Sequence, residues 1–450
     1  VTFSPLNSAI TGPLFTSGAM QAVFSDRARI AAMLAVEEAL ARAQARFGLA
    51  PEALAEAIAA ISPDDLDLDE IGKATANAGV PTIPFVKAVQ KRLPAEYESS
   101  FHKGATTQDI LDTALVLQLR DGFRLIEPDL AAVLQELQRL AEAHRRTPCV
   151  GRTYGQHAAP ITFGFKAAVW LAGIAEAGEG IARAKGRLLV ASLGGPVGTL
   201  AALGEQGPRV ADSFADLLGL RAPAITWHTR RAGFAEGGTS IAVLLGALGK
   251  MAVDVAHLCT TEVGEVAEPH VPGRGGSSSM PHKRNPVSST IIIAAHQASI
   301  GQAALLLQAL SARHERPAGL WHAEWGALPT LFGLTSGALR ESRLLCEGLE
   351  IYPKRMAANL DATRGLLFAD AAAGRLAHRL GREAAHEAVE RAADEVRTSG
   401  RSLQEVLCRD HGPEIAEAFD LAPAIEAAQP WIDRAIEEAD RVVQILQSSR

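Results

Sequence analysis

The chain has 450 residues, 48% hydrophobic but only 5% aromatic, and a formal net charge of −7. That length supports two or three domains with a large core, and an alanine-rich, aromatic-poor composition favours packed helices over a sandwich or barrel. The negative balance gives no electrostatic case for nucleic acid, and Cys149, Cys259, Cys346 and Cys408, with no CxxC pair, point to a reduced cytoplasmic protein without a zinc site.

The first residues, VTFSPLNSAITG, lack a basic segment followed by an apolar core, so no signal peptide is expected. Residues 25–47 read as an amphipathic helix: Ser25 can cap it, Met33, Val36, Leu40, Ala43 and Phe47 form one stripe, and Gly48 can end it. An Ala-rich helix follows Pro51, and Ser62–Pro94 reads as short helices and turns. The loop His102–Asp109 then leads into a long helical pattern from Ile110, which Pro128 is expected to kink or restart. Pro148–Pro160 is a second break before another long apolar helix. Gly194–Gly207 is glycine-rich but lacks the Lys-Ser/Thr of a phosphate loop and reads as a turn.

Thr239–Glu268 reads as a helix with Ile241, Leu244, Leu245, Leu248 and Met251 on its apolar side. Pro286–Arg313 is a second helix. Ser288–Ala312 holds no charged side chain and is long enough to span a bilayer, but its His296, Gln297, Ser299, Gln302 and Gln308 suit a helix buried all round in a bundle. No membrane association is expected. Strand-like alternation is nowhere sustained. The centre therefore reads as a bundle of very long helices that subunits bury against each other, followed from Arg364 by shorter helices.

Between these last long helices lies Gly273–Pro286, GRGGSSSMPHKRNP, whose glycines, serines and prolines cannot continue a helix. It carries Arg274, His282, Lys283 and Arg284, and no acidic residue occurs from Pro269 to His314. Asn285-Pro286 suits a helix start, with Asn as cap and Pro at the first position. A cationic loop feeding a helix N-terminus is a sensible clamp for an anion. Composition alone would make it a solvated surface loop; the order of residues argues otherwise. The loops 102–109, 151–157 and 273–286 each set hydroxyls and cations at a helix start. Their separation means that any joint site is assembled from distant segments or from different subunits.

The run Gly276–Pro286, GSSSMPHKRNP, closely resembles the catalytic-loop signature of the fumarase/aspartase superfamily, Gly-Ser-Ser-x-Met-Pro-x-Lys-x-Asn. The resemblance covers most of the chain. It implies an all-α, three-domain fold: an N-terminal helical domain 1–110, a central long-helix bundle 111–363 with its catalytic loop 268–286, and a C-terminal helical domain 364–450. It also implies a homotetramer whose active sites are shared between subunits, acting on a small anionic substrate without cofactor or metal. By position, Ser277 matches the serine that handles the carbon-bound proton, and Lys283 and Asn285 match residues that bind the carboxylate activating that carbon. His102, Thr106, Thr107 and Gln108 fall in the first substrate-binding region, Arg152, Thr153 and Tyr154 in the second, and Ser278 and Met280 in the third.

Trp227–Arg231 and His314–Trp325 resemble the muconate-lactonising (3-carboxy-cis,cis-muconate cycloisomerase) branch of that superfamily and add His228, His314 and Arg316 as substrate contacts. Tyr154 stands where most lyases of the superfamily have histidine as general acid. Lactonisation has little use for that acid, because a carboxylic acid of pKa about 4 attacks and leaves already ionised. His157 reads as structural. The resemblance leaves open a 3-sulfomuconate substrate, an adenylosuccinate-type lyase, or a non-catalytic structural member.

Overall fold

The computed structural model describes residues 4–276 and 279–448. Helix α1, Asp26–Ala45, forms as its sequence dictates: the Ser25 hydroxyl accepts the Ala28 amide at 3.2 Å, and Met33, Val36, Leu40 and Ala43 are buried. Gly48 turns the chain away with φ of +71°.

Helix α2, Thr107–Ala143, has 37 residues and so extends about 55 Å. It passes through Pro128 without restarting. Ile126, Leu130, Val133 and Leu134 around the proline are fully buried, and that packing outweighs the roughly 3 kcal/mol that an interior proline costs.

The break at 148–160 is a β-hairpin rather than the irregular loop expected. Strand β1, Pro148–Thr153, pairs antiparallel with β2, Gln156–Thr162, with an irregularity at Gly151/Arg152. Tyr154 and Gly155 join them with φ of +51° and +75°, the two left-handed residues that a tight two-residue hairpin turn requires. The fold remains all-α in character, since this ribbon and a two-residue pairing of Val266–Ala267 with Glu350–Ile351 are the paired strands among the described residues.

Four helices complete the centre: α3 (Phe163–Leu188), α4 (Ala232–Leu258), α5 (Val287–Gln308) and α6 (Ala327–Gly348). Helix α4 lies against α3 and α5, α5 against α6, and α2 against both α3 and α6. Gly238 allows one of these approaches, because a Cβ there would stand 2.2 Å from Leu306 Cδ1. The expected helix 239–268 is displaced toward the N-terminus. Its five predicted apolar residues are buried as expected, but the helix ends at Leu258, and Gly264 turns the chain with φ of +61°. This places Glu265 and Glu268 outside helix, where both have work described below.

Helix α4 and the stretch Val287–Ser311 are each long and apolar enough to cross a membrane, yet both are bundle helices. Within one chain, α5 is covered on one face only. Ile291, Ile292, Ala295 and Leu306 are buried, whereas Ile300 and Leu307 remain 51% and 49% exposed; full burial is not reached in a single copy. A separate small core of Leu376, Ala385, Val389, Leu403 and Leu407 forms after residue 364. The final helix α7, Ala422–Ser448, returns to pack on α2 and α3 through Ile432, Val442 and Leu446.

The hairpin is fixed to the bundle at Gly164, whose amide donates to the His144 carbonyl at 2.9 Å. A Cβ there would meet Ala141 O and Arg145 Cα at 2.5 Å, and backbone atoms cannot rotate aside. Gly164→Ala is expected to cost about 1–3 kcal/mol in urea unfolding; an unchanged midpoint would show that the junction yields freely.

Candidate active site

The first region is held by charge buried beneath it. Thr106 precedes α2, and its amide donates to Asp109 Oδ2 at 3.0 Å, one half of a capping box. Asp109 is fully buried. Its carboxylate also accepts the amides of Gly194 and Gly195 at 2.9 and 2.8 Å and meets His228 Nε2 at 2.6 Å. The glycine-rich turn thus does bind an anion, but an internal one.

Gln108 is equally committed: Nε2 donates to the His228 carbonyl at 2.9 Å and to Asp112 at 3.1 Å, while Oε1 accepts Arg316 Nε at 3.3 Å. Arg316 reaches the Pro196 carbonyl as well. The structure therefore gathers 102–112, 192–200, 227–231 and 314–325 into one cluster. Gln108 and His228 are buried within it, Arg316 lies at its edge, and His314 is exposed on a left-handed backbone with φ of +55°. Thr107 offers its carbonyl to Thr82 Oγ1 at 3.4 Å.

Beneath this cluster Arg231 bridges Asp112 at 2.6 Å and Glu324 at 2.5 Å and lies over the adjoining rings of Trp227 and Phe234. Trp321 Nε1 donates to the same Asp112 at 3.0 Å. Burial pushes the Glu324 carboxyl up, with the Arg231 charge acting against it.

At the loop's outer end, His102 Nδ1 lies 2.6 Å from Glu37 Oε1. Burial lowers its pKa, but the charge and hydrogen bond of Glu37, helped by Asp109, outweigh that and raise it overall. The stabilisation from this pair is fully present below the unfolded imidazole's pKa and is lost as pH rises through the raised folded value.

In the second region Arg152 is bound by Glu265 at 2.6 and 3.1 Å, and Asn359 donates to the same carboxylate at 2.8 Å. Its guanidinium braces the hairpin against the segment before the loop 273–286. Thr153 and Tyr154 are exposed at the tip, Tyr154 completely. His157 pairs in register with Arg152; burial and the Arg152 charge lower its pKa.

The third region lines a cleft of about 940 Å³ formed by residues 259–261, 267–271, 273–274, 276 and 281–286. The α5 N-terminus behind it is not open to a ligand. Glu268 accepts the amides of Ser288 and Ser289 at 2.9 and 2.8 Å and the Ser289 hydroxyl at 2.7 Å. The helix end expected to clamp a substrate anion already holds a carboxylate of its own chain. Nor does Asn285 cap that helix: its Nδ2 and its backbone amide both donate to the Gly275 carbonyl, at 3.0 and 2.9 Å. Arg274 is paired with Glu341 and bonds Ser288 Oγ, and Arg284 is paired with Glu350 at 2.8 Å. Lys283 and His282 line the cleft with no side-chain partner among the described residues. Met280 is partly exposed beside them. Ser277 and Ser278 lie outside the described residues.

This cleft includes no residue of the other two regions. Among the described residues no group of three His, Cys, Asp or Glu side chains is placed to hold a metal. Sequence reasoning missed the carboxylates behind the loops. Asp109 was readable as the N3 member of a Thr-x-x-Asp capping pattern; Glu37, Glu265 and Glu268 carried no local signal.

Comparison with known proteins agrees with this architecture. A family described as "Lyase" matches residues 15–299. A 3-carboxy-cis,cis-muconate cycloisomerase of Pseudomonas aeruginosa is 44% identical over 94% of this chain and 95% of its own. A nitrosuccinate lyase of Streptomyces davaonensis is 41% identical over 97% and 96%. The crystal structure of the 3-carboxy-cis,cis-muconate lactonizing enzyme from Pseudomonas putida superposes with a TM-score of 0.90 at 42% identity, covering 95% of this chain and 98% of that one.

Removing the cation from the buried triad tests the scaffold. Arg231→Met leaves Asp112 and Glu324 without a counter-ion, and a loss of about 3–5 kcal/mol is expected near neutral pH. Acid protonates the stranded carboxylates, so the loss relative to wild type should shrink at pH 5. Equal urea midpoints for the two proteins at pH 7 would show that the triad is not holding this cluster.

Proposed function

The chain belongs to the lyase family of the fumarase/aspartase superfamily, and on that footing we propose that it is a cycloisomerase closing 3-carboxy-cis,cis-muconate to 4-carboxymuconolactone. The observation that carries the reading is the pairing of an intact signature loop, with Lys283 in its cleft and without a side-chain partner among the described residues, and Tyr154 at the position of the usual acid. It is supported by 44% identity to a relative named for that reaction.

One carboxylate of the muconate attacks the conjugated alkene carbon, closing a five-membered ring, and a proton is delivered to the neighbouring carbon. Both reacting groups belong to one molecule, so folding the diene into position supplies much of the acceleration. Negative charge then develops on the carboxylate conjugated to the alkene, and the ammonium of Lys283 stabilises it. Asn285 bonds Gly275 in this structure and must exchange that partner to bind substrate. Ser277 gives the proton to carbon in lactonisation and removes it in reverse; a serine hydroxyl needs a strong local field for that work.

We assign assembly of the site to a homotetramer. Tyr154 projects from its hairpin uncovered, the third region's cleft lacks the other two regions, and apolar Val243, Val253, Ile300 and Leu307 remain exposed on α4 and α5. The cytoplasm is the compartment that suits four free cysteines; burial pushes the thiols of Cys149 and Cys346 up to about 12.

A second reading has a specific basis. Nitrite, like a carboxylate, departs as a stable anion without a proton, so Tyr154 also suits elimination from nitrosuccinate, for which a 41% identical relative is named. An ultraviolet assay of diene loss with 3-carboxy- and 3-sulfo-cis,cis-muconate, run beside nitrite release from nitrosuccinate, tests the assignment. Turnover of the carboxymuconate is expected, and its absence with rapid nitrite release would replace the first reading by the second. With the active substrate, Ser277→Ala should abolish turnover without altering oligomer or melting. Lys283→Ala should lower kcat by about 10²–10³-fold; near-normal rates in either variant would remove that residue from the mechanism.

A further inference from the structure

Glu37 lies on the buried stripe of α1 and is 1% exposed. A carboxylate there costs stability unless it is paired, and its one hydrogen-bonded partner among the described residues is His102 Nδ1, at 2.6 Å, while Oε2 is buried without a partner. The carboxylate accepts from Nδ1–H, and once the ring takes up a second proton the outward Nε2 is a donor as well. Nε2 has no partner among the described residues, and the ring keeps 21% of its surface exposed. The backbone is fixed as firmly: His102 holds a left-handed φ of +56°, and Gln44, two turns along α1 from Glu37, donates to the Lys103 carbonyl at 2.6 Å.

From this geometry we propose that Glu37 is a positioning residue, fixing the His102 ring through Nδ1 so that Nε2–H is presented to a carboxylate of the substrate. The proposal rests on the reading of the substrate as a polycarboxylate. The charges acting on the ring are Glu37 from α1 and Asp109 from the first turn of α2, with the cation of Lys103 next in the chain. Glu37 thus does for the first region what a carboxylate behind a histidine does elsewhere: it sets the tautomer, orients the ring and favours its charged form.

The variant Glu37→Gln retains an acceptor for Nδ1–H and removes the charge. In the ligand-free protein, the imidazole nitrogen resonance of His102, assigned with His102→Asn, should titrate at lower pH in Glu37→Gln than in wild type. In steady-state kinetics on the carboxymuconate at pH 7.5, KM should rise about tenfold with kcat changed less than threefold. The rise in KM should also begin at lower pH than in wild type, which a merely structural role would not produce. Calorimetry with tricarballylate, a non-reacting tricarboxylate, should show the same tenfold weakening, and separates this proposal from the choice of reaction. If wild type binds tricarballylate more tightly than Glu37→Gln but turns over no muconate, the functional reading fails and the positioning role stands. Equal affinities in the two proteins, no binding by either, or an unmoved His102 titration overturns the proposal. Should the amide variant not fold, Glu37→Asp keeps the charge, shortens the reach, and is held to the same comparison of binding and titration.

Discussion

A buried carboxylate stands behind each of the three loops: Asp109 under the first, Glu265 under the second and Glu268 under the third. Each is satisfied by donors from its own surroundings. Asp109 takes glycine amides and His228, Glu265 takes Arg152 and Asn359, and Glu268 takes the first amides of α5. In a low-dielectric interior an unpaired carboxylate would be prohibitive, so each of these acids dictates where its loop must run. The arrangement also resolves an electrostatic difficulty. A chain of net charge −7 repels an anion wherever its acids face outward. Here several face inward and are neutralised, while Lys283 and His282 face the cleft.

Much of the fold was legible because it follows local rules. The cap at Ser25, the stripe on α1 and the apolar side of α4 are short-range patterns, and they appear where periodicity puts them. The failures have physical causes too. Helix α4 ends at Leu258 because the chain turns through Thr260–Gly264, although the residues beyond remain compatible with a helix. The hairpin at 148–162 escaped notice because its sequence shows no alternation; a two-residue turn and a bulge fix its register. Pro128 failed to break α2 because tertiary burial on both sides outweighs a local preference.

The site was legible as a set of residue types and only partly as a geometry. The signature singled out a loop and a candidate lysine, and the structure brings 227–231 and 314–325 beside the first region. What one chain places differently concerns the partners: Arg152, Gln108 and His228 serve the framework, and the α5 N-terminus is already filled. A cap supplied from twenty residues upstream leaves no mark in the helix it serves. Tyr154 is the reverse case, a single letter singled out for its chemistry, which the structure sets uncovered at the hairpin tip.

Because Glu268 cancels the positive end of α5 from within, the potential above the cleft owes little to the helix and much to a few replaceable side chains. Ligand preference can then drift by exchanging outer residues while the frame beneath stays put. Relatives of this chain above 40% identity carry names as different as a ring-closing isomerase and a nitro-compound lyase. Such divergence is what a rigid chassis with interchangeable fittings permits.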